Sequence, residues 1–188
     1  MKRKLIGIGR VFVGNKIRRK VGLDTDICLA WMENEKETFN YKPEIAKKGN
    51  ILYINYKVFG ELMGLLSEKY SSEEERRKVI FSFLGRNKIG IIKYNDLNQL
   101  EAKKLFDELK SKCNTFKRVA SNNDYWIISI YLTAGMDTIS TNNTRDFEEP
   151  CIYLKIPLEY PPIIEPGSRQ DVRRMLRNIP RPRFKKRR

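Results

Sequence analysis

The 188-residue chain contains no histidine. That absence removes imidazole acid–base catalysis, Ser–His and Cys–His nucleophile pairs, and most zinc hydrolase sites. Any chemistry must run on carboxylates, hydroxyls, lysine or a bound metal. Cysteine is scarce: Cys28, Cys113 and Cys151 are odd in number, widely spaced and form no CxxC. They read as reduced core thiols of a cytoplasmic protein, not as disulfides or a structural zinc site. No apolar run approaches the ~20 residues of a membrane span, so no membrane role is expected. The first residues, MKRKLIGIGRVFVG, are basic, but glycines break their short apolar stretch, which makes a poor signal peptide.

Acid is missing from one end and sparse at the other. Residues 1–20 hold eight Lys/Arg and no acid, and residues 165–188 hold ten Lys/Arg against Glu165 and Asp171. Of 38 basic and 23 acidic residues in all, 20 and 21 are left for 21–164, a net of −1 beneath a whole-chain charge of +15. A near-neutral body thus carries two basic arms. Arms of this kind meet polyanions, RNA or DNA before a membrane surface; a solvated tail is the plain alternative.

Three segments are expected: a basic arm over 1–20, a body over 21–160, and a Pro/Arg-rich tail over 161–188. In the body, short apolar runs alternate with amphipathic stretches. Strands are read at Val21–Leu23, Ile51–Ile54, Lys88–Lys93, Thr138–Ser140 and Ile152–Ile156. Helices are read at Ile27–Met32, Tyr56–Tyr70, from Ser71 or Ser72 through Leu84, Asn95–Lys112 and Asp124–Ala134. The alternation predicts an α/β fold on a mainly parallel sheet covered on both faces. Pro157, Pro161, Pro162 and Pro166 mark an extended exit. Val172, Met175, Leu176 and Ile179 then recur at helical spacing. Around and beyond them lie Arg169, Arg173, Arg174, Arg177, Arg181, Arg183, Lys185, Lys186, Arg187 and Arg188, suited to backbone phosphates.

Four carboxylates border apolar runs: Asp24 in VGLDTDICLAW, Glu61 in YKVFGELMGLL, Asp124 in SNNDYWIISIYL and Asp146 in DTISTNNTRDF. A carboxylate at the edge of a core stays ionised only if something compensates it. Four brought together also repel one another. A divalent cation resolves both problems, and Mg²⁺ and Mn²⁺ favour oxygen ligands. Asp24 ends a strand, and ligands of open α/β sheets sit beyond the carboxyl ends of strands. Each acid also has a duller role available. Asp24 could cap the following helix, Glu61 could be a solvated helix-edge residue, and Asp124 could merely favour a helix N-terminus. Asp146 could pair with Arg145 or Lys155, and Tyr125 and Trp126 read as core before base-stacking platforms.

The strings LDTDI, FGELMG, NDYWIISIYLTAG and TISTNNTRDF together resemble the PIN-domain family of nucleases, over about residues 21–156. The resemblance implies a three-layer α/β/α sandwich, and Asp24, Glu61 and Asp124 as core metal ligands. Asp146 would be the fourth acid, with Asn143 its rival, and Asp26 and Thr141 would be supporting polar groups. It further implies Mg²⁺- or Mn²⁺-dependent cleavage of single-stranded RNA, and a homodimer. The chain departs from simple members in its two basic arms and in bulky Tyr125, Trp126 and Tyr131. Two roles follow within this class: an RNA-processing enzyme, or a toxin held by an antitoxin. An RNA-binding or ribosome-associated protein that no longer cuts is the reading from another class.

Overall fold

In the computed structural model, residues 12–13, 16–34, 46, 49–113 and 122–159 are described. A two-stranded antiparallel ribbon, β1 (Phe12–Val13) and β2 (Lys16–Ile17), precedes the main sheet. Among the described residues the sheet has five strands: β3 (Lys20–Leu23), β4 (Ile51–Asn55), β5 (Gly90–Ile92), β6 (Thr138–Ser140) and β7 (Leu158–Glu159). Their order is β5-β4-β3-β6-β7, and every pairing is parallel. Helices that connect or flank them are α1 (Thr25–Asn34), α2 (Tyr56–Leu65), α3 (Glu73–Asn87), α4 (Gln99–Lys112), α5 (Asn122–Thr133) and α6 (Thr144–Leu154).

The order fixes the layers. From β3 the chain steps outward through β4 to β5, then returns to β6 on the other side of β3 and steps out to β7. Right-handed crossovers put α1–α3 on one face and α4–α6 on the other. The packing agrees, since α1 meets α2, α2 meets α3, α4 meets α5 and α5 meets α6. Trp31 of α1 meets Phe83 of α3 edge to face at 5.5 Å, and Phe106 of α4 stacks on Trp126 of α5 at 4.5 Å. The expected α/β/α sandwich on a parallel sheet is therefore the observed fold. Among the described residues, no helix is long and apolar enough to cross a membrane.

The central strand β3 shows why these residues suit this place. Val21 and Leu23 are fully buried, as a strand covered on both faces requires. Gly22 lies under the ring of Tyr131 on α5, where a Cβ would come within 2.7 Å of the ring carbons. Tyr131 in turn donates its hydroxyl to the Leu23 carbonyl, so α5 seats directly on β3.

Several expected elements are corrected. Ile152–Ile156 is not a strand: α6 runs through Leu154, and Lys155 ends it at φ 56°. The buried residues Phe147, Pro150 and Cys151 keep the helical spacing, while Ile152 is 70% exposed. The edge strand is Leu158–Glu159 instead. Lys88–Lys93 shortens to Gly90–Ile92, because Lys88 closes α3 at φ 55°. The helix expected from Asn95 begins at Gln99. Asn98 caps it by accepting from the Glu101 N–H, and Tyr94–Asp96 forms a separate 3₁₀ turn. The 161–188 tail, with its Val172–Ile179 helix and arginines, lies outside the described residues.

Candidate metal centre

The chain leaves β3 toward β4 and comes back beside it as β6. The crevice between the carboxyl ends of β3 and β6 is thus the switch point of the sheet, where ligands of such folds bind. Asp24 and Thr141 are the first residues past those two strands. The Asp24 N–H donates to the Ser140 carbonyl at 2.9 Å.

Asp24 is 5% exposed. Its carboxylate accepts from the Thr25 N–H and from the Thr141 hydroxyl, each at 2.8 Å. Those two bonds favour the charged form, but burial opposes it more strongly, and the charges of Asp26 and then Asp124 add to the opposition. The net result is a carboxyl held well above the usual carboxylate range. The helix-cap alternative is met in part: the Asp24 carbonyl accepts the Cys28 N–H at 3.2 Å and so begins α1.

The other expected residues attach to Asp24 through a short relay. The Thr25 hydroxyl donates to Glu61, which projects from α2. Thr141 Oγ1 accepts from the Asn143 N–H at 2.9 Å, and Asn143 Nδ2 donates to Asp146 at 3.0 Å. Asp26 accepts from the Asn142 N–H at 2.8 Å and from the Ile27 N–H at 2.6 Å. Asp124, half-buried in the first turn of α5, reaches Asp24 by charge. Asp146 sits in the first turn of α6, not in the loop expected from sequence, and also accepts from Arg145 at 3.3 Å. Its pairing with Arg145 is the duller role foreseen for it. Tyr125 is buried core, as read.

Three residues on this rim have roles that sequence reasoning missed. Thr25 bridges to Glu61, although it lay in plain view between two aspartates. Asn55, fully buried at the end of β4, caps α2 by accepting from the Lys57 and Val58 N–H groups at 2.9 and 3.1 Å. Its amide also donates to the Ile127 carbonyl of α5 at 3.4 Å, tying the helices of Glu61 and Asp124 together. An Asn between an apolar strand run and a helical run was the available signal. Asn142 is 7% exposed, and its side-chain nitrogen has no hydrogen-bond partner among the described residues, while its N–H holds Asp26.

The donor set is all carboxylate and hydroxyl oxygen, which fits a hard divalent cation. Among the described residues no three acids form a ready-made cage for an ion. What they form is a pairwise-linked cluster around one carboxylate that burial disfavours as an anion. The thiol beside it, Cys28, is fully buried, and burial, then the charges of Asp24 and Asp26, raise it well above the usual thiol range, which keeps it protonated.

The fold and this rim define a doubly wound α/β protein with an acid-lined switch point. A family model for the PIN domain matches residues 21–152, and the chain belongs to that family. Among solved structures, VapBC2 from Rickettsia felis bound to a DNA fragment from their promoter is similar at 23% identity. Its TM-score is 0.58, covering 76% of this chain and 98% of that one. VapBC-1 from nontypeable Haemophilus influenzae is similar at 19% identity and a TM-score of 0.51, covering 75% and 97%. FitAB bound to an IR36 DNA fragment aligns at 14% identity and a TM-score of 0.50, covering 79% and 99%. At these identities the likeness is one of fold. No curated protein sequence matches the chain.

Proposed function

We propose that the chain is a Mg²⁺- or Mn²⁺-dependent endoribonuclease that hydrolyses phosphodiester bonds in RNA. The observation that carries this reading is Asp24. It is a buried carboxylate at the switch point, opposed by the charges of Asp26 and Asp124, and its hydrogen-bond donors among the described residues are one N–H and one hydroxyl. Such a group has reason to be there if a cation compensates it. Asp24, Glu61, Asp124 and Asp146 would hold the ion. The chemistry an ion supplies there is a hydroxide-like nucleophile and neutralised charge on the leaving oxygen. Thr141 and Thr25 orient the Asp24 and Glu61 carboxylates, and Asn143 orients Asp146. With no histidine to drive attack by the 2′-hydroxyl, the products carry 5′-phosphate and 3′-hydroxyl ends. The basic arms would grip backbone phosphates without reading sequence.

Cleavage of single-stranded RNA in Mn²⁺ tests the proposal. Chelator abolishes it, and Asp24→Asn or Asp124→Asn lowers it by about 100-fold or more, the scale of lost charge stabilisation at a reacting centre. Undiminished cleavage by both variants rules out the site. An RNA-processing role fits the long basic arms better than an antitoxin-bound toxin. The charge partition also suits a second reading, an RNA- or ribosome-associated protein that does not cut. Clustered negative charge beside phosphates counts against that one.

A further inference from the structure

The acids cannot themselves attract a polyanion. Before the reaction, a strand must be held by groups beside them. The same carboxyl-end rim carries a chain of rings and a lysine that the hydrolytic centre does not use. Tyr56 opens α2 directly after β4, and Tyr94 follows β5. Their rings meet edge to face at 5.4 Å. Lys57 Nζ stands 5.9 Å from the ring centroids of both Tyr56 and Trp126, and Trp126 is stacked on Phe106. Tyr94 is 55% exposed, and Tyr56, Lys57 and Trp126 are half-buried. Lys57 lies one turn before Glu61 on the same face of α2, so the strip borders the acid cluster.

We infer that Tyr94, Tyr56 and Lys57 form a platform for single-stranded nucleic acid, with bases stacked on the two tyrosines and a phosphate against Lys57. The chemistry matches on three counts. Unpaired bases offer flat faces that a duplex keeps hidden, and exposed rings take them without regard to sequence. Lys57 makes no ion pair with a carboxylate among the described residues and is held over two rings, which leaves its charge for an anion. The strip is also continuous with the rim where a scissile phosphate would sit. That last point rests on the ribonuclease reading; the binding itself does not.

The test uses the full chain and a labelled single-stranded oligoadenylate, followed by fluorescence anisotropy. Chelator is present so that nothing is cut. Salt at about 0.3 M weakens the phosphate contacts of the basic arms. Tyr94→Ala and Tyr94→Leu weaken binding about ten-fold or more, while Tyr94→Phe keeps the wild-type affinity. Lys57→Ala weakens binding and lowers the salt slope by about 0.7. RNA duplex of the same length is bound equally by wild type and Tyr94→Ala. Unchanged oligoadenylate affinity in Tyr94→Ala overturns the inference, as does an equal loss on duplex, which would mark a contact that does not depend on unpaired bases. Because binding is read without metal or cleavage, a chain that fails to cut can still support the platform. A chain that cuts can equally refute it.

Discussion

Asp24 carries a heavy electrostatic load. Its carboxyl is raised by burial first and by Asp26 next, so the ionised form is disfavoured in the folded, metal-free chain. The sign follows from linkage: the folded state holds the Asp24 proton more tightly than the unfolded chain does. Asp24's contribution to the stability of the metal-free protein is therefore fully present below the ordinary aspartate pKa of about 4 and is lost as pH rises through the elevated value. Asp24→Asn removes that fall. Urea unfolding in chelator is expected to find the variant more stable than wild type at pH 7, by on the order of 1 kcal/mol, with the difference vanishing toward pH 4. A variant less stable at every pH would show that Asp24 is already compensated inside the fold. Thr25, Asn55 and Asn142 act on the same small scale. Single side chains of this kind leave no periodicity, which is why a reading by pattern passes over them while finding the acids.

Among the elements, β3 and α5 carry the site, and they pack tightly. Gly22→Ala would force a Cβ to 2.7 Å from the Tyr131 ring, in a layer with no slack. The expected cost is about 1–3 kcal/mol, read by denaturant unfolding, with cleavage lowered because Asp24 and Asp124 sit on the two elements pushed apart. Wild-type stability would show that α5 slides freely over the strand. The buried strands and periodic helices of the body were legible from sequence because each repeats its signal over several residues. The edges were not. The two-residue strand β7 has no period to read, and Pro150 followed by alternating Ile152–Ile156 imitates a break and a strand. The helical spacing of Phe147, Pro150 and Cys151 overrode it, since burying those three outweighs one missing N–H. That misreading also placed Asp146 in a loop. Asp24, Asp124 and Asp146 could be singled out from sequence because strand ends and helix starts are where an α/β sheet exposes polar groups, whereas Glu61, in the middle of α2, was singled out by its helical spacing from the apolar Val58.

Across the whole molecule, two electrostatic tasks are kept apart. The body, near neutral, gathers acids at its switch point, while the ends carry the positive charge. Neutralising the end of the tail, with Arg181, Arg183, Lys185, Lys186, Arg187 and Arg188 changed to serine, tests that division. RNA affinity is expected to fall, and its log–log salt slope to flatten by about 0.7 for each phosphate no longer neutralised. Cleavage at saturating RNA would remain. An unchanged slope would mean that the tail does not touch RNA.

All of this depends on the acids of the switch point holding a divalent cation together, and calorimetric titration of Mn²⁺ into the full chain reads that binding without intermediaries. Saturable binding is expected, abolished or severely weakened by Asp24→Asn. Asp137→Asn, which alters an acid whose carboxylate bonds the Lys20 N–H instead, is expected to bind like wild type. No saturable uptake of Mn²⁺, or uptake equal in wild type and Asp24→Asn, would refute the metal centre.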